Sequence, residues 1–308
     1  MTLRVTFLGT SAAIPTTTRN PSGIFVNREG DQMLFDVGEG TQRQMMRYGT
    51  GFAVESVFLT HVHGDHILGL PGLLQTWDFT EREAPVTIYT PQGSADQLRQ
   101  FLTALEDTPS YGMSIVEVGE NETIVDRPEY TIQTVATDHR TRSVGYVLAE
   151  RERPGRFDRE EAEQLGVPVG PKFSQLHRGE SVELADGTVI EPDDVVGPPR
   201  PGRRLVYTGD TRPTDSVVNA AHGADLLIHD ATFTEEEADR ARQTAHSTAR
   251  EAGHIADQAG AKRLVLTHIS SRYTGRKPGH VSEAESVFGG PVILANDGRE
   301  IDIPYPDT

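Results

Sequence analysis

The 308-residue chain contains no cysteine. That excludes disulfides, thiolate metal ligands and a thiol nucleophile, so any metal must be held by histidine, aspartate and glutamate. No apolar run approaches the length needed to span a bilayer. The N-terminus lacks the charged, apolar and small-residue succession of a secretory leader, and the stretch to Leu8 already alternates like a strand. These absences point to a cytoplasmic protein with no membrane partner. The chain has no repeat of fixed period and no low-complexity tract.

Lysine is almost absent too. Of 29 basic residues only Lys172, Lys262 and Lys277 are lysines, against 46 acidic residues and a formal net charge of −17. So acidic a chain would ordinarily argue against a nucleic-acid partner. Carboxylates with hardly any lysine suggest instead a protein working in concentrated salt, as in a halophilic archaeon. At molar salt the Debye length is about 3 Å, so a distant acidic surface repels RNA little. An ordinary acidic mesophilic enzyme is the alternative.

Short apolar runs alternate with helical patterns throughout. Strands are expected at Arg4–Leu8, Gly23–Val26, Gln32–Val37, Ser56–Thr60, Val86–Tyr89, Tyr130–Ala136, Val144–Ala149, Leu205–Thr208, Leu226–His229, Leu264–Thr267 and Pro291–Leu294. Helices are expected at Thr41–Arg47, Ser94–Thr103, Asp215–His222, Ser247–Ala259 and Ser282–Val287. Ser282 with Glu285 reads as a capping box, and Gly260 as a helix stop. Such mixing indicates α/β layers. Glu150–Arg178 breaks the rhythm. It opens on Pro154-Gly155, carries a short charged helix capped by Asp158, and passes through Gly166-Val167-Pro168-Val169-Gly170-Pro171. Its six basic and six acidic residues cancel. A long insertion of this kind is more often functional or disordered than inert.

The densest chemistry is Thr60-His61-Val62-His63-Gly64-Asp65-His66, directly after the apolar Val57-Phe58-Leu59. Imidazole and carboxylate suit zinc and related divalent ions. His61 and His63 alternate, so an extended backbone aims both to one side. Asp65 and His66 fall on the turn into the next helix, within reach of a second metal. Three further candidates each follow an expected strand: His139, Asp210 and His268. Strand ends are where α/β sheets place their sites.

Taken together, His61-x-His63-x-Asp65-His66, His139, Asp210 and His268 resemble the metal set of the metallo-β-lactamase superfamily. The resemblance implies an αββα sandwich. It implies one Zn2+ on His61, His63 and His139, a second on Asp65, His66 and His268, and Asp210 bridging. Mn2+ or Fe2+ would also suit these ligands. Asp36 matches a buried aspartate that supports the site, and Asp65 would double as proton acceptor.

Further segments resemble ribonuclease Z. They are Phe7-Leu8-Gly9-Thr10-Ser11-Ala12-Ala13-Ile14-Pro15, Arg19-Asn20-Pro21-Ser22, Leu34-Phe35-Asp36-Val37-Gly38-Glu39-Gly40-Thr41-Gln42, Leu227-Ile228-His229-Asp230-Ala231-Thr232-Phe233 with Asp230 where that family has glutamate, Ala245-His246-Ser247-Thr248, and Thr267-His268-Ile269-Ser270-Ser271-Arg272-Tyr273. The resemblance implies one metallo-β-lactamase domain over 1–308, with residues 150–178 as an extruded arm gripping the elbow of precursor tRNA. It also implies a homodimer. The expected reaction is cleavage just 3′ of the discriminator nucleotide, with Asp65 and His246 catalytic and His246 assisting the departing 3′-oxygen. His229 is expected to support ligand geometry, and structural roles are expected for His177, His222, His254 and His280. The rival reading is a small-molecule phosphodiesterase or arylsulfatase-like hydrolase on the same scaffold. A non-enzymatic RNA-binding module with structural zinc fits poorly, because such sites are usually closed and rich in cysteine.

Overall fold

The computed structural model describes residues 2–103, 109–275 and 279–306; Lys277 lies outside them. It comprises two compact units. The larger runs from the N-terminus to Ala149 and from Arg204 to Pro304, and the smaller takes Glu150–Arg203 with the last residues from Tyr305.

The larger unit holds two seven-stranded sheets. In the first, the order is Glu300–Asp302, Leu3–Gly9, Gly23–Arg28, Asp31–Phe35, Val54–Phe58, Val86–Pro91 and Met113–Val118. Its pairings are antiparallel up to Asp31–Phe35 and parallel beyond. In the second, the order is Val292–Leu294, Leu264–Thr267, Leu226–Asp230, Arg204–Tyr207, Val144–Glu150, Tyr130–Ala136 and Thr123–Asp126.

Strand alternation explains the layering. Ile24 and Val26 join one apolar cluster and Phe25 between them joins another. Likewise Leu205 and Tyr207 face one way and Val206 the other. The first set, from both sheets, forms the layer between them around Phe35, Phe58, Tyr146 and Tyr207. The outer face of the first sheet packs on helices Thr41–Tyr48, Leu70–Phe79 and Ala95–Leu102, through Met45, Leu73, Trp77 and Leu98. The outer face of the second packs on Asp215–Ala220, Ala249–Ala259 and His280–Glu285. This is the αββα sandwich expected from the sequence.

Helix ends follow local chemistry. Thr248 and Glu251 form a reciprocal capping box at the start of Ala249–Ala259, which Gly260 ends in the left-handed region (φ 59°). The capping box expected at Ser282 and Glu285 does not form. The helix starts two residues earlier, at His280 after Gly279, because its first turn buries His280 edge-on to Tyr273 while Ala284 packs on Gly253 of the helix Ala249–Ala259.

The smaller unit has its own core of Ala162, Val167, Leu176, Val182, Ile190 and Val195. Three of these residues follow Arg178, so the insertion closes at Arg203 rather than at the expected Arg178. Its helices cannot cover their apolar faces without the hairpin Val182–Glu183 and Val189–Ile190 and the turn Pro192–Val195. Asp158 caps Arg159–Gln164 by accepting from the Glu161 amide at 3.0 Å, as expected. His177 Nε2 donates to the Gly155 carbonyl, 3.1 Å away. At the base of this unit the Arg203 guanidinium and Glu150 carboxylate pair at 2.7 Å with almost no exposure.

Candidate metal centre

The segment after Val54–Phe58 leaves the sheet extended as far as His63, which caps the short helix Gly64–Ile67. His61 and His63 therefore project together, and Asp65 and His66 follow on the first helical turn. Gly38 lets this turn pack closely: a Cβ there would stand 2.4 Å from the Asp65 carbonyl.

All seven candidate ligands converge. His61, His63 and His139 form one group whose donor atoms lie within 4.8 Å of one another, and Asp65, His66, Asp210 and His268 form another. Asp210 faces both with different oxygens. Its Oδ2 lies 3.6 Å from His61 Nε2 and 3.9 Å from His139 Nε2. Its Oδ1 lies 3.4 Å from His66 Nε2 and 3.3 Å from His268 Nε2. Although buried, Oδ1 has no hydrogen-bond partner.

The outer hydrogen bonds of four histidines dictate which nitrogen faces inward. His66 Nδ1 is 2.8 Å from Asp36 Oδ2. His139 Nδ1 is 2.9 Å from the Ala245 carbonyl. His61 Nδ1 meets Thr60 Oγ1 at 3.0 Å, and that hydroxyl donates to Asp36. His268 Nδ1 meets Thr232 Oγ1 at 3.0 Å, and that hydroxyl donates to Asp230. Each Nδ1 must then carry the proton, which leaves each Nε2 as a lone pair aimed at the site. His61 Nε2 and His63 Nδ1 are only 3.0 Å apart, and His66 Nε2 and His268 Nε2 3.4 Å. Such crowding of lone pairs and an orphaned carboxylate oxygen fits divalent cations and little else.

The electrostatics divide the histidines. Burial lowers His61, His63 and His139, keeping them neutral. Burial also opposes the charge on His66, but Asp210, Asp36 and Asp65 outweigh it and raise this group well above its ordinary value, so its Nε2 holds a second proton that a cation would have to displace. Burial would raise Asp65 and Asp210, yet neighbouring His66 and His268 hold both carboxyls below the usual range.

His246 stands beside this centre. Its Nδ1 is 2.8 Å from Asp230 Oδ2 and 3.9 Å from Asp210 Oδ2. Burial opposes protonation here also, but the Asp230 charge and hydrogen bond raise the imidazole to about 9. Asp230, Asp210, His246 and His268 form a third group of converging donors. His229 is buried next door but turns its Nδ1 to the Asp230 carbonyl and touches none of the seven ligands by hydrogen bond. His222 and His254 are exposed, outside every cluster.

Several supporting residues went unmarked in the sequence. The Ala13 amide donates to Asp65 Oδ2 at 2.8 Å. The Tyr207 hydroxyl donates to Asp36 at 2.8 Å. Arg212 holds the carbonyl of His246. Only the capping box Thr248-x-x-Glu251, which fixes this corner, had a local signal. Among the described residues, four of the seven non-glycine residues with positive φ sit here: Ala13, Asp36, Ala245 and His268. Strain of this kind gathers where surroundings over-determine a site.

Comparisons place the chain among known proteins. Residues 3–151 match the family described as anti-Pycsar protein Apyc1, and residues 187–269 the beta-lactamase superfamily domain. A protein named ribonuclease Z from Natronomonas pharaonis is 61% identical over 307 residues, covering all of both chains. Another of that name from Myxococcus xanthus is 49% identical over 99% of each. The crystal structure of human tRNase Z, short form, superposes with a TM-score of 0.71 at 28% identity, over 98% of this chain and 99% of that one. The metallo-beta-lactamase fold protein YhfI from Bacillus subtilis has a TM-score of 0.72 at 21% identity over 98% of this chain and all of that one, a likeness of fold.

Proposed function

The chain belongs to the ribonuclease Z family, and from that premise we propose that it is a metal-dependent endoribonuclease cutting precursor tRNA just 3′ of the discriminator nucleotide. The observation that carries the reading is Asp210, with one oxygen turned to each of two donor groups. His61, His63 and His139 would hold one ion, Asp65, His66 and His268 the other, and Asp210 both. The donor set suits two Zn2+, with Mn2+ or Fe2+ also compatible. Two such ions supply Lewis acidity toward a phosphoryl oxygen and make bound water acidic.

The protein's own groups handle the protons. Asp65 is oriented by the Ala13 amide, which donates to Oδ2, the oxygen that also faces the ligand nitrogens of His66 and His268; this leaves Oδ1 to accept a proton from the attacking water. The water oxygen bonds to phosphorus as the P–O3′ bond breaks. His246 has Nδ1 committed to Asp230, so Nε2 presents its proton to the departing 3′-oxygen. One water is consumed, giving a tRNA 3′-hydroxyl and a trailer 5′-phosphate. General acid assistance of this type is worth roughly 10²–10⁴-fold.

The Glu150–Arg203 unit is the arm in this reading, a separately cored insertion carrying none of the metal-site donors. Its Arg159 pairs with Glu163 and Arg178 with Glu180, so its grip on RNA should depend on shape more than on net charge. A homodimer fits the exposed apolar Met46 and Phe79, which flank a groove between helices Thr41–Tyr48 and Leu70–Phe79. Adaptation to concentrated salt fits the scarcity of lysine and the halophilic relatives. A cytoplasmic site fits this substrate, and no described helix is long and apolar enough to cross a membrane.

The test is cleavage of labelled precursor tRNA in molar KCl with zinc, with and without chelator, by the wild type and Asp65→Ala. A single cut after the discriminator, abolished by chelation and by Asp65→Ala while RNA binding persists, is expected. No cut, alongside rapid hydrolysis of a small phosphodiester or sulfate ester, would select the small-molecule reading instead.

A further inference from the structure

Arg212 lies two residues beyond Asp210 and joins three site loops. Its backbone amide donates to the Asp138 carbonyl at 2.8 Å, beside His139. Its side chain crosses to the opposite loop, where Nη1 donates to the His246 carbonyl at 2.6 Å and to Glu251 Oε2 at 2.7 Å. Nη2 completes a two-pronged pair with Glu251 Oε1. Glu251 is fixed in turn, because its Oε2 accepts the Thr248 amide at 2.8 Å within the capping box. The pair is largely screened from water, at 17% and 22% exposure.

The turn it grips closes the helix Ala238–Thr244, where Ala245, immediately before His246, takes the left-handed conformation (φ 56°) that a residue with a Cβ rarely adopts. The Ala245 carbonyl is held from within by His139 Nδ1 and the next carbonyl, of His246, from without by Arg212. Ser247 adds a buried bond from Oγ to the Thr211 carbonyl at 2.6 Å. A lysine in place of Arg212 would present a point charge, unable to hold the carboxylate and the carbonyl in one planar fork.

We infer that Arg212, braced by Glu251, is a positioning residue for His246, setting the proton donor against the Asp210 and His139 loops. This rests on the reading of His246 as donor to the leaving oxygen. The consequence is a dependence on the leaving group. A ribose 3′-oxygen departs poorly without a proton, whereas p-nitrophenolate departs as a stable anion. Arg212 should therefore matter far more for precursor tRNA than for bis(p-nitrophenyl) phosphate.

The experiment measures single-turnover cleavage of precursor tRNA at saturating enzyme, its half-saturation constant, and bis(p-nitrophenyl) phosphate hydrolysis. It compares wild type, His246→Ala, Arg212→Met, Arg212→Lys and Glu251→Gln, all metal-loaded. In Arg212→Met the ratio of RNA rate to p-nitrophenyl rate should fall by about tenfold to a hundredfold, as small displacements of a reacting group cost. Half-saturation by RNA should move little. Glu251→Gln, the gentler change, should fall in the same direction, and Arg212→Lys should fall between wild type and Arg212→Met. An unchanged ratio in the Arg212 and Glu251 variants, with a fallen ratio in His246→Ala, overturns the inference and leaves the His246 reading standing. An unchanged ratio in His246→Ala overturns that reading and the inference with it. Weaker RNA saturation at an unchanged maximal rate would make Arg212 an RNA contact, and an equal loss on both substrates would make it a fold or metal-loading residue. Each refutes the inference.

Discussion

Replacing Asp36 by asparagine should weaken metal binding sharply while leaving the protein folded. Asp36 is fully buried. Its Oδ1 accepts the Thr60 amide at 2.8 Å, while Oδ2 accepts the Tyr207 hydroxyl and His66 Nδ1, each at 2.8 Å. Asparagine keeps the shape and can keep the first bond. Its NH2 group, placed at Oδ2, meets three groups that now donate, of which the Thr60 hydroxyl can turn wholly to the retained oxygen, 3.0 Å away. Tyr207 can adjust, because its hydroxyl also meets Ser22 Oγ at 3.0 Å. His66 can adjust only by moving its proton from Nδ1 to Nε2, the nitrogen that faces Asp210 and His268. The inward lone pair is then lost. Removal of such an outer partner typically costs 10–100-fold in metal affinity, about 1.4–2.8 kcal/mol. The loss of one buried charged hydrogen bond should lower stability by about 1–3 kcal/mol, a fall of roughly 2–4 °C in Tm for each kcal/mol. Competition against a chromogenic chelator in molar KCl measures the first quantity, and thermal unfolding of the apoprotein the second. Asp36→Ala should lose on both counts. Wild-type zinc affinity and stoichiometry in Asp36→Asn would refute the tautomer argument, whatever its Tm.

Three further outcomes follow from named contacts. Burial pushes His280 down to about 4, and the nearby backbone of Ala231 and Thr232 opposes this without reaching hydrogen-bond geometry. The unfolded chain therefore takes up this proton first as pH falls below about 6.5. His280 should cost about 2 kcal/mol between pH 7 and pH 5, and urea unfolding at both values should show His280→Phe relieved of that part of the loss. Arg203→Met strips the buried Glu150 of its guanidinium, a change worth about 3–5 kcal/mol. Limited proteolysis should then cut within Glu150–Arg203 while the larger unit resists, and an uncut insertion would count against its independence. Gly38→Ala drives a Cβ into the Asp65 carbonyl. Displacing that turn by about 1 Å should reduce cleavage some 10²-fold, measured at saturating RNA.

How much of this was legible in the sequence depended on distance along the chain. His61, His63, Asp65 and His66 announce themselves because one turn carries them all. His139, Asp210 and His268 are legible as residues that follow strands. The outer partners are not. Tyr207 reaches Asp36 across 171 residues, and nothing near Tyr207 marks it as more than a core aromatic. Arg212 looks like any surface arginine until the sheet brings Glu251 beside it. The helix Leu70–Phe79 is not among the helices expected from the sequence, although Leu70, Leu73, Leu74 and Trp77 follow helical spacing. Gly69, Pro71 and Gly72 are residue types that favour turns, yet proline at the first helical positions gives up no hydrogen bond. Composition changes at Glu150, where the smaller unit begins, whereas that unit runs past Arg178 to Arg203 through residues that look like ordinary hairpin and turn.

The position of that insertion has an evolutionary consequence. Ala149 and Arg204, the residues flanking it in the larger unit, are direct antiparallel partners. The chain thus leaves and re-enters the sheet at one rung of a hairpin. Whatever hangs there can lengthen, shrink or be exchanged without shifting a single register in the sheet, since doubling a loop adds only about 0.6 kcal/mol of closure entropy. The scaffold and its metal chemistry could therefore stay fixed while descendants traded one appendage for another, acquiring new substrates at the rung of a ladder rather than at the active site.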